Sequence, residues 1–211
     1  MQLRGRLTGA QRRALDELLP LYSANSEVLL DAAQLFGRSA PLGIEIGFGT
    51  GDALIHWATA QPDWNLLGVE IYPPGIGALL NRIEEDGVEN VRIVQGRAED
   101  VVEKVLSRAS VAEVRIFFPD PWPKKRHHKR RLIQPAFVER LMGRMAVNGE
   151  LHFATDWEPY ALWATGVFAG FPELAPVEAA NAQDLRPPTR FEQRGHRLGH
   201  QIFEFQFKKQ G

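Results

Sequence analysis

A chain of 211 residues with 44% hydrophobic and 24% charged side chains can bury one sizeable core and is too apolar for a disordered polymer. Its 25 Lys+Arg nearly balance 26 Asp+Glu, and with no cysteine it holds no disulfide scaffold, thiol nucleophile or zinc–thiolate site. No apolar run is long enough to span a bilayer, and Met1-Gln2-Leu3-Arg4-Gly5-Arg6 lacks the apolar stretch of a signal peptide, so a cytoplasmic protein is expected.

Thr8 is placed to cap a helix running to Leu19, just before Pro20, and residues 1–36 read as a short helical extension. Beyond it, β-type runs at Leu42–Ile46, Asn65–Glu70, Val91–Gln95, Val114–Phe118 and Glu150–Thr155 alternate with helical spacings at Asp52–Ala60, Pro74–Glu85, Glu99–Ser107, Gln134–Met145 and Asp156–Phe168. Alternation at this spacing predicts βαβ units: an α/β, Rossmann-like fold with a mostly parallel twisted sheet and helices on both faces. The strands are nearly all apolar, as strands covered on both sides should be. Gln201–Lys208 breaks the rhythm, alternating Ile202, Glu204 and Gln206 against Phe203, Phe205 and Phe207. It reads as an antiparallel C-terminal strand, pairing near Ala175–Ala179. No domain boundary is visible, so residues 1–211 are expected to form one domain.

The first predicted strand runs into Gly43-Ile44-Glu45-Ile46-Gly47-Phe48-Gly49-Thr50-Gly51-Asp52 and then a helix. In a doubly wound sheet, ligands sit outside the C-terminal strand ends at the switch point. Glycines there admit positive φ and close approach of backbone to ligand. The spacing is G-x-G-x-G, not the G-x-G-x-x-G of the dinucleotide fingerprint. Glu45 stands two residues before the loop, where a carboxylate suits a cation and repels a pyrophosphate. Glu70 ends the second strand, 23 residues after Gly47, where an acid can take two ribose hydroxyls. A ligand with a ribose, an adenine and a positive charge but no phosphate is S-adenosylmethionine, leaving S-adenosylhomocysteine as product. Gly96-Arg97-Ala98-Glu99-Asp100 follows the third strand, where the adenine would lie. Two other readings stand beside this one: glycines that merely make a tight turn, and a nicotinamide-dependent oxidoreductase, which the spacing disfavours.

After the fourth strand comes Phe118-Pro119-Asp120-Pro121-Trp122-Pro123. Three prolines, each fixing φ and biasing its predecessor, predict a stiff extended loop that carries Asp120 and Trp122 at the carboxyl edge of the sheet. The next eight residues, Lys124 to Arg131, hold six Lys/Arg and two His. A charge run is usually a solvated face; beside a ligand edge it favours a polyanionic substrate. The whole-chain balance conceals a division, since residues 1–123 carry a net −6 and residues 124–211 a net +5. Of the cations, 19 are Arg and 6 are Lys, and Arg favours bidentate phosphate contact. Arg186, Arg190, Arg194 and Arg197 are further candidate phosphate contacts. Adjacent His127 and His128 without a carboxylate pattern are a weak metal signal, and no metal is expected.

The stretch Phe118 to Lys124 followed by Arg126-His127-His128-Lys129-Arg130-Arg131 resembles the signature of the tRNA (guanine-N7-)-methyltransferase family. Glu45 to Gly51, Ala154-Thr155-Asp156-Trp157 and Thr189-Arg190-Phe191-Glu192-Gln193-Arg194-Gly195 resemble it too, as do Arg6, Thr8, Gln11, Ala14 and Leu15. The loop is only loosely related to the Asp-Pro-Pro-Trp loops of amino-methylating enzymes. The resemblance runs in order over essentially the whole chain. It implies transfer of a methyl group from S-adenosylmethionine to N7 of guanine 46 in the tRNA variable loop. On the family pattern Asp120 is the catalytic aspartate. Glu45, Gly47, Gly49, Glu70, Arg97, Ala98 and Asp120 hold the cofactor. Lys124, Asp156, Thr189, Arg190, Phe191 and Glu192 bind substrate. Arg97 departs from the family, where an acid or amide is common, which points to a backbone or stacking contact. Asp156 equally suits a helix N-cap, and Trp122 and Trp157 are candidates to stack on the target base, but large aromatics more often pack, so neither is assigned a catalytic role. tRNA is the expected partner, with no membrane, no obligate protein partner, and a monomer or homodimer. A small-molecule methyltransferase would leave the basic run without purpose, and a non-catalytic RNA-binding module would leave Glu45, Glu70 and the glycines without one.

Overall fold

A computed structural model describes residues 6–177, 186, 187, 192 and 201–211 of the chain. Strands β1 (Leu42–Ile46), β2 (Asn65–Glu70), β3 (Val91–Gln95), β4 (Val111–Phe117), β5 (Met145–Thr155), β6 (Leu174–Pro176) and β7 (Phe203–Lys209) form one sheet in the order β3-β2-β1-β4-β5-β7-β6. Strands β1 to β5 pair in parallel, and β7 runs antiparallel to both β5 and β6. The chain starts at the centre, winds outward to β3 and crosses back to β4. The switch point therefore falls between β1 and β4, whose carboxyl ends carry the glycine loop and the Pro-Trp loop. The first three strands have the predicted bounds. β4 and β5 begin earlier than predicted, through a register shift between Val111 and Glu113 that pairs Val111 with Met145.

Helices α1 (Gly9–Glu17), α2 (Leu19–Tyr22), α3 (Ala32–Phe36), α4 (Asp52–Ala60), α5 (Pro73–Asp86), α6 (Ala98–Lys104), α7 (Pro135–Arg144) and α8 (Glu158–Phe168) flank the sheet. One core joins α6, α7 and α8 to Ile44, Ile46, Val114, Ile116, Leu151 and Phe153. A second joins α1, α4 and α5 to Leu66, Val91 and Ile93. α1 starts as predicted, with Thr8 and Gln11 forming a reciprocal capping box. It ends at Glu17 rather than Leu19, and α2 restarts there with Pro20 in its first turn, where a missing N–H costs nothing. Gln11 Nε2 donates to the carbonyl of Pro74 at 3.0 Å, tying α1 to the start of α5.

The expectation of nearly all-apolar strands fails on one face. Register brings Glu45, Arg115, His152 and Gln206 side by side across four strands, and Glu113, Glu150 and Lys208 across three. Glu45, Glu113, Arg115, His152 and Gln206 are all buried. Such groups are tolerated inside only when paired or hydrogen-bonded, so this face is built by ion pairs as much as by apolar contact. The Arg115 guanidinium lies 3.7 Å from the Trp57 ring centroid, and its Nε donates to Glu113 Oε1 at 2.6 Å. Phe205 and Phe207, on the other side of β7, join the larger core as the alternation predicted.

Candidate active site

The turn out of β1 is made by Gly47, Gly49 and Gly51, with φ of +76°, +58° and +81°, a region that L side chains rarely adopt. A Cβ at Gly47 or Gly49 would meet nothing within 4 Å, so the loop borders open space on the ligand side. On the other side it is pressed against α5, where a Cβ on Gly75 would come within 2.2 Å of the Gly49 carbonyl oxygen. Glu70 braces this arrangement. Its Oε2 accepts the Gly49 N–H at 3.0 Å, and its Oε1 accepts those of Ile71 and Tyr72 at 2.7 and 3.0 Å. Two carboxylate oxygens offer about four lone-pair sites, so one remains for a ligand hydroxyl.

Glu45 lies beneath the loop, 3% exposed, and its Oε2 has no hydrogen-bond partner among the described residues. Burial raises its pKa to about 8 against the opposing pull of Arg115 and Arg186. A buried carboxyl with an unmet oxygen beside an open cradle is a place where a cation gains and a phosphate loses. The adenine-side candidates follow β3 directly. Arg97 occupies the N-cap position of α6 and Ala98 its first residue. The Arg97 guanidinium is exposed and turns to Glu99 at 3.4 Å.

Asp120 is exposed three residues beyond the end of β4. The loop that holds it is not extended as predicted. Phe118 and Trp122 have φ of +49° and +44°, although each precedes a proline and belongs by preference in the β region. Left-handed backbone at such residues costs ~1–3 kcal/mol each, and surrounding packing must hold it. Phe118 is buried, while Trp122 is gripped by Arg130, 5.0 Å from its ring centroid, and by His127 edge-on at 5.7 Å. Lys125–Arg130 form a 3-10 helix. Lys124, Lys125, Arg126, Lys129 and Arg130 are exposed, but Arg131 is not available to a partner. It is buried, donating to the carbonyls of Pro121 at 3.0 Å and Pro159 at 3.3 Å, and so ties the loop to α8.

Asp156 follows β5 on the same edge. The capping alternative is not taken, because Trp157 is the N-cap residue of α8 and no side chain caps that helix. Trp157 packs against the larger core, as expected for a large aromatic. Arg186 corrects the sequence reading. It is no surface phosphate contact but is 1% exposed, with Nη2 2.5 Å from Glu204 Oε1 and Nε 3.6 Å from Glu192 Oε2. Its guanidinium also lies over Phe117 and Phe118, at 4.5 and 5.2 Å from their ring centroids. Arg186 thus links Glu192 to the root of the Asp120 loop. Thr189, Arg190, Phe191, Arg194 and Arg197 lie outside the described residues. Sequence reasoning missed Gly75, Arg115 and His152. A lone Arg inside Val114–Phe117 and a lone His between Leu151 and Phe153 were the available signals.

The profile of the family described as "Putative methyltransferase" matches residues 39–205. The tRNA (guanine-N(7)-)-methyltransferase of Bordetella pertussis is 48% identical over 209 residues, spanning 98% of this chain and 82% of that protein. The chain belongs to the tRNA (guanine-N7-)-methyltransferase family. Members from Methylobacillus flagellatus and Aeromonas hydrophila are 46% and 43% identical, each over 97% of this chain and over 88% and 89% of their own length. Among solved structures, the 16S rRNA methyltransferase KamB superposes with a TM-score of 0.63 at 14% identity, covering 87% of this chain and 95% of that one. A mutant 16S rRNA (adenine(1408)-N(1))-methyltransferase from Catenulisporales acidiphilia, solved with its cosubstrate SAM, superposes at 0.55 and 13% identity over 89% and 92% of the two chains. Family and fold together make this chain a methyltransferase. Among the described residues, no helix is long and apolar enough to cross a membrane.

Proposed function

We propose that the protein transfers the methyl group of S-adenosylmethionine to N7 of guanine 46 in the variable loop of tRNA. The reading is carried by one juxtaposition: an exposed aspartate, Asp120, held between a glycine cradle with a buried carboxyl and a run of five exposed cations. The relatives are tRNA (guanine-N(7)-)-methyltransferases, which supports methylation of a tRNA guanine at N7. The cradle fits the cofactor, since Gly47 and Gly49 leave space above the loop and the unpartnered Glu45 oxygen suits a cationic ligand. When bound, S-adenosylmethionine supplies an electrophilic methyl group. Glu45 and the glycine loop would hold its charged end, Glu70 a ribose hydroxyl, and the Gly96–Ala98 turn its adenine.

What remains is positioning. Guanine N7 carries an in-plane lone pair, so no proton has to leave before attack, and no activated nucleophile is needed. Asp120 accepts hydrogen bonds from guanine N1–H and N2–H₂ and offsets positive charge developing on the methylated base. Lys124, Asp156 and the segment Thr189 to Glu192 complete the substrate side, with Glu192 anchored by Arg186. The exposed run 124–130 grips backbone phosphate, and the guanine swings out of the tRNA core to reach a recessed edge. Residues 1–211 act as one cytoplasmic catalytic unit, with 1–36 appended to it.

Methyl-labelled S-adenosylmethionine and unmodified tRNA test this directly. Label should enter tRNA and map, after cleavage at N7-methylguanine, to position 46, and a tRNA with adenine there should stay unlabelled. Label at another base, or none, refutes the assignment.

A further inference from the structure

The polar face of the sheet contains a cluster that the proposed reaction does not use. Glu113 on β4 and Glu150 on β5 are cross-strand partners, and His152 stands two residues beyond Glu150 on the same face. His152 is 4% exposed, and neither ring nitrogen has a hydrogen-bond partner among the described residues. A buried imidazole with both nitrogens unmet is costly unless something completes it. Its Nε2 lies 3.5 Å from Glu113 Oε1 and 3.4 Å from Glu150 Oε2. Those separations are long for hydrogen bonds. They match instead the edge of a coordination tetrahedron, because two atoms each ~2.0–2.1 Å from a zinc ion stand ~3.3–3.4 Å apart. One donor atom from each residue can be chosen so that all three lie within 4.8 Å of one another.

We propose that Glu113, Glu150 and His152 bind one divalent transition cation of the zinc class, with water completing the shell. One imidazole and two carboxylates suit zinc or manganese, whereas magnesium and calcium favour all-oxygen shells. Arg115 Nε holds Glu113 Oε1 at 2.6 Å and leaves that oxygen a second lone pair, as partners of a ligating carboxylate do. The Glu150 side chain is 43% exposed and gives the ion a way in. The ion fixes β4 to β5, the two strands whose ends carry Asp120 and Asp156. The expectation of no metal came from His127 and His128; this cluster is created by strand register, which spacing along the chain does not reveal.

The test is chelator-stripped full-length protein dialysed against Zn²⁺ and, in a second arm, Mn²⁺, with metal counted by mass spectrometry. The expected result is about one zinc per chain and a Tm raised by several degrees. Glu150→Gln, at a half-exposed position, should fold and weaken zinc on the order of 10-fold or more. Co²⁺ in the wild-type protein should give visible d–d absorption displaced by Zn²⁺, a readout that needs no variant. Retention below about 0.1 zinc per chain, no cobalt absorption, or unchanged zinc affinity in folded Glu150→Gln would overturn the proposal.

Discussion

Replacing Glu45 by glutamine should make the protein more stable at alkaline pH and flatten its pH dependence. An unfolded Glu releases its proton near 4.5, whereas the folded one, held up mainly by burial, keeps it to about 8. Between those values the folded state binds a proton that the unfolded state has shed, so stability falls as pH rises through the window. At about 1.4 kcal/mol per pH unit, the full span sets a ceiling on the order of 5 kcal/mol above pH 8. Little of that loss has accrued by pH 5, so the contribution lost between pH 5 and pH 8 is about 3–4 kcal/mol. Glutamine keeps the shape and cannot titrate. Urea unfolding of the cofactor-free wild type and Glu45→Gln at pH 5, 6, 7 and 8 reads the difference. Curves whose separation changes by less than ~1 kcal/mol over that range would show that Glu45 is not held protonated, and the argument for an unmet carboxyl under the loop would fail. The same logic constrains the ligand. A cation beside Glu45 favours the charged form, so binding S-adenosylmethionine should expel a proton, which calorimetry in buffers of different ionisation enthalpy counts.

Asp120→Ala removes an exposed carboxylate, so it should fold and still bind cofactor through Glu45, Glu70 and the glycine loop while methyl transfer falls on the order of 100-fold or more; near-normal turnover would remove Asp120 from the reaction. Lys125→Ala and Lys129→Ala should each lower the slope of log affinity for tRNA against log salt by about 0.7–0.9, and unchanged slopes would place the phosphates elsewhere. Arg186→Ala strips the buried partner from Glu204 and Glu192 and should cost about 3–5 kcal/mol at pH 7. Burial already raises the Glu204 pKa, so protonation should shrink that defect at pH 5, and equal defects in urea unfolding at both pH values would contradict the pairing. Gly75→Ala drives a Cβ into the Gly49 carbonyl and should weaken cofactor binding more than it lowers Tm; equal effects would dissociate α5 from the cradle.

Much of the fold was legible because the signals were local. Glycine follows β1 and β3, prolines follow β2, the strand runs are rich in apolar residues, and Thr8 marks a helix start. The glycine loop, Glu45, Glu70 and Asp120 could be placed on one edge because topology alone sends strand ends there. The misreadings share one cause, which is distance along the chain. Arg186 looks like one of four loop arginines until Glu204, 18 residues on, is seen to pair with it. Arg131 looks like the last member of a cationic run until the carbonyl of Pro159 takes its guanidinium. Trp122 precedes a proline and should be extended, but its contacts with His127 and Arg130 hold it left-handed. Burying Arg115 among its neighbours depends on register with Glu45 and His152, which no single strand encodes.

The near-neutral total charge follows from this division of labour. On the proposed reading, an edge that holds a cationic cofactor gathers carboxylates: Glu45, Glu70, Asp120 and Asp156 all stand at or beside strand ends. Such an edge repels the phosphates of an RNA brought against it. At physiological salt, charges farther than about 8 Å are largely screened, so only cations next to the acids can reverse the repulsion. Lys124 to Arg130 begin four residues after Asp120 and are pinned to its loop through Trp122. A phosphate seated on that run is thereby seated at a fixed offset from Asp120. On the proposed reading grip and alignment fall to one segment, so substitutions that loosen Trp122 from Arg130 should disturb methyl transfer even where every cation remains.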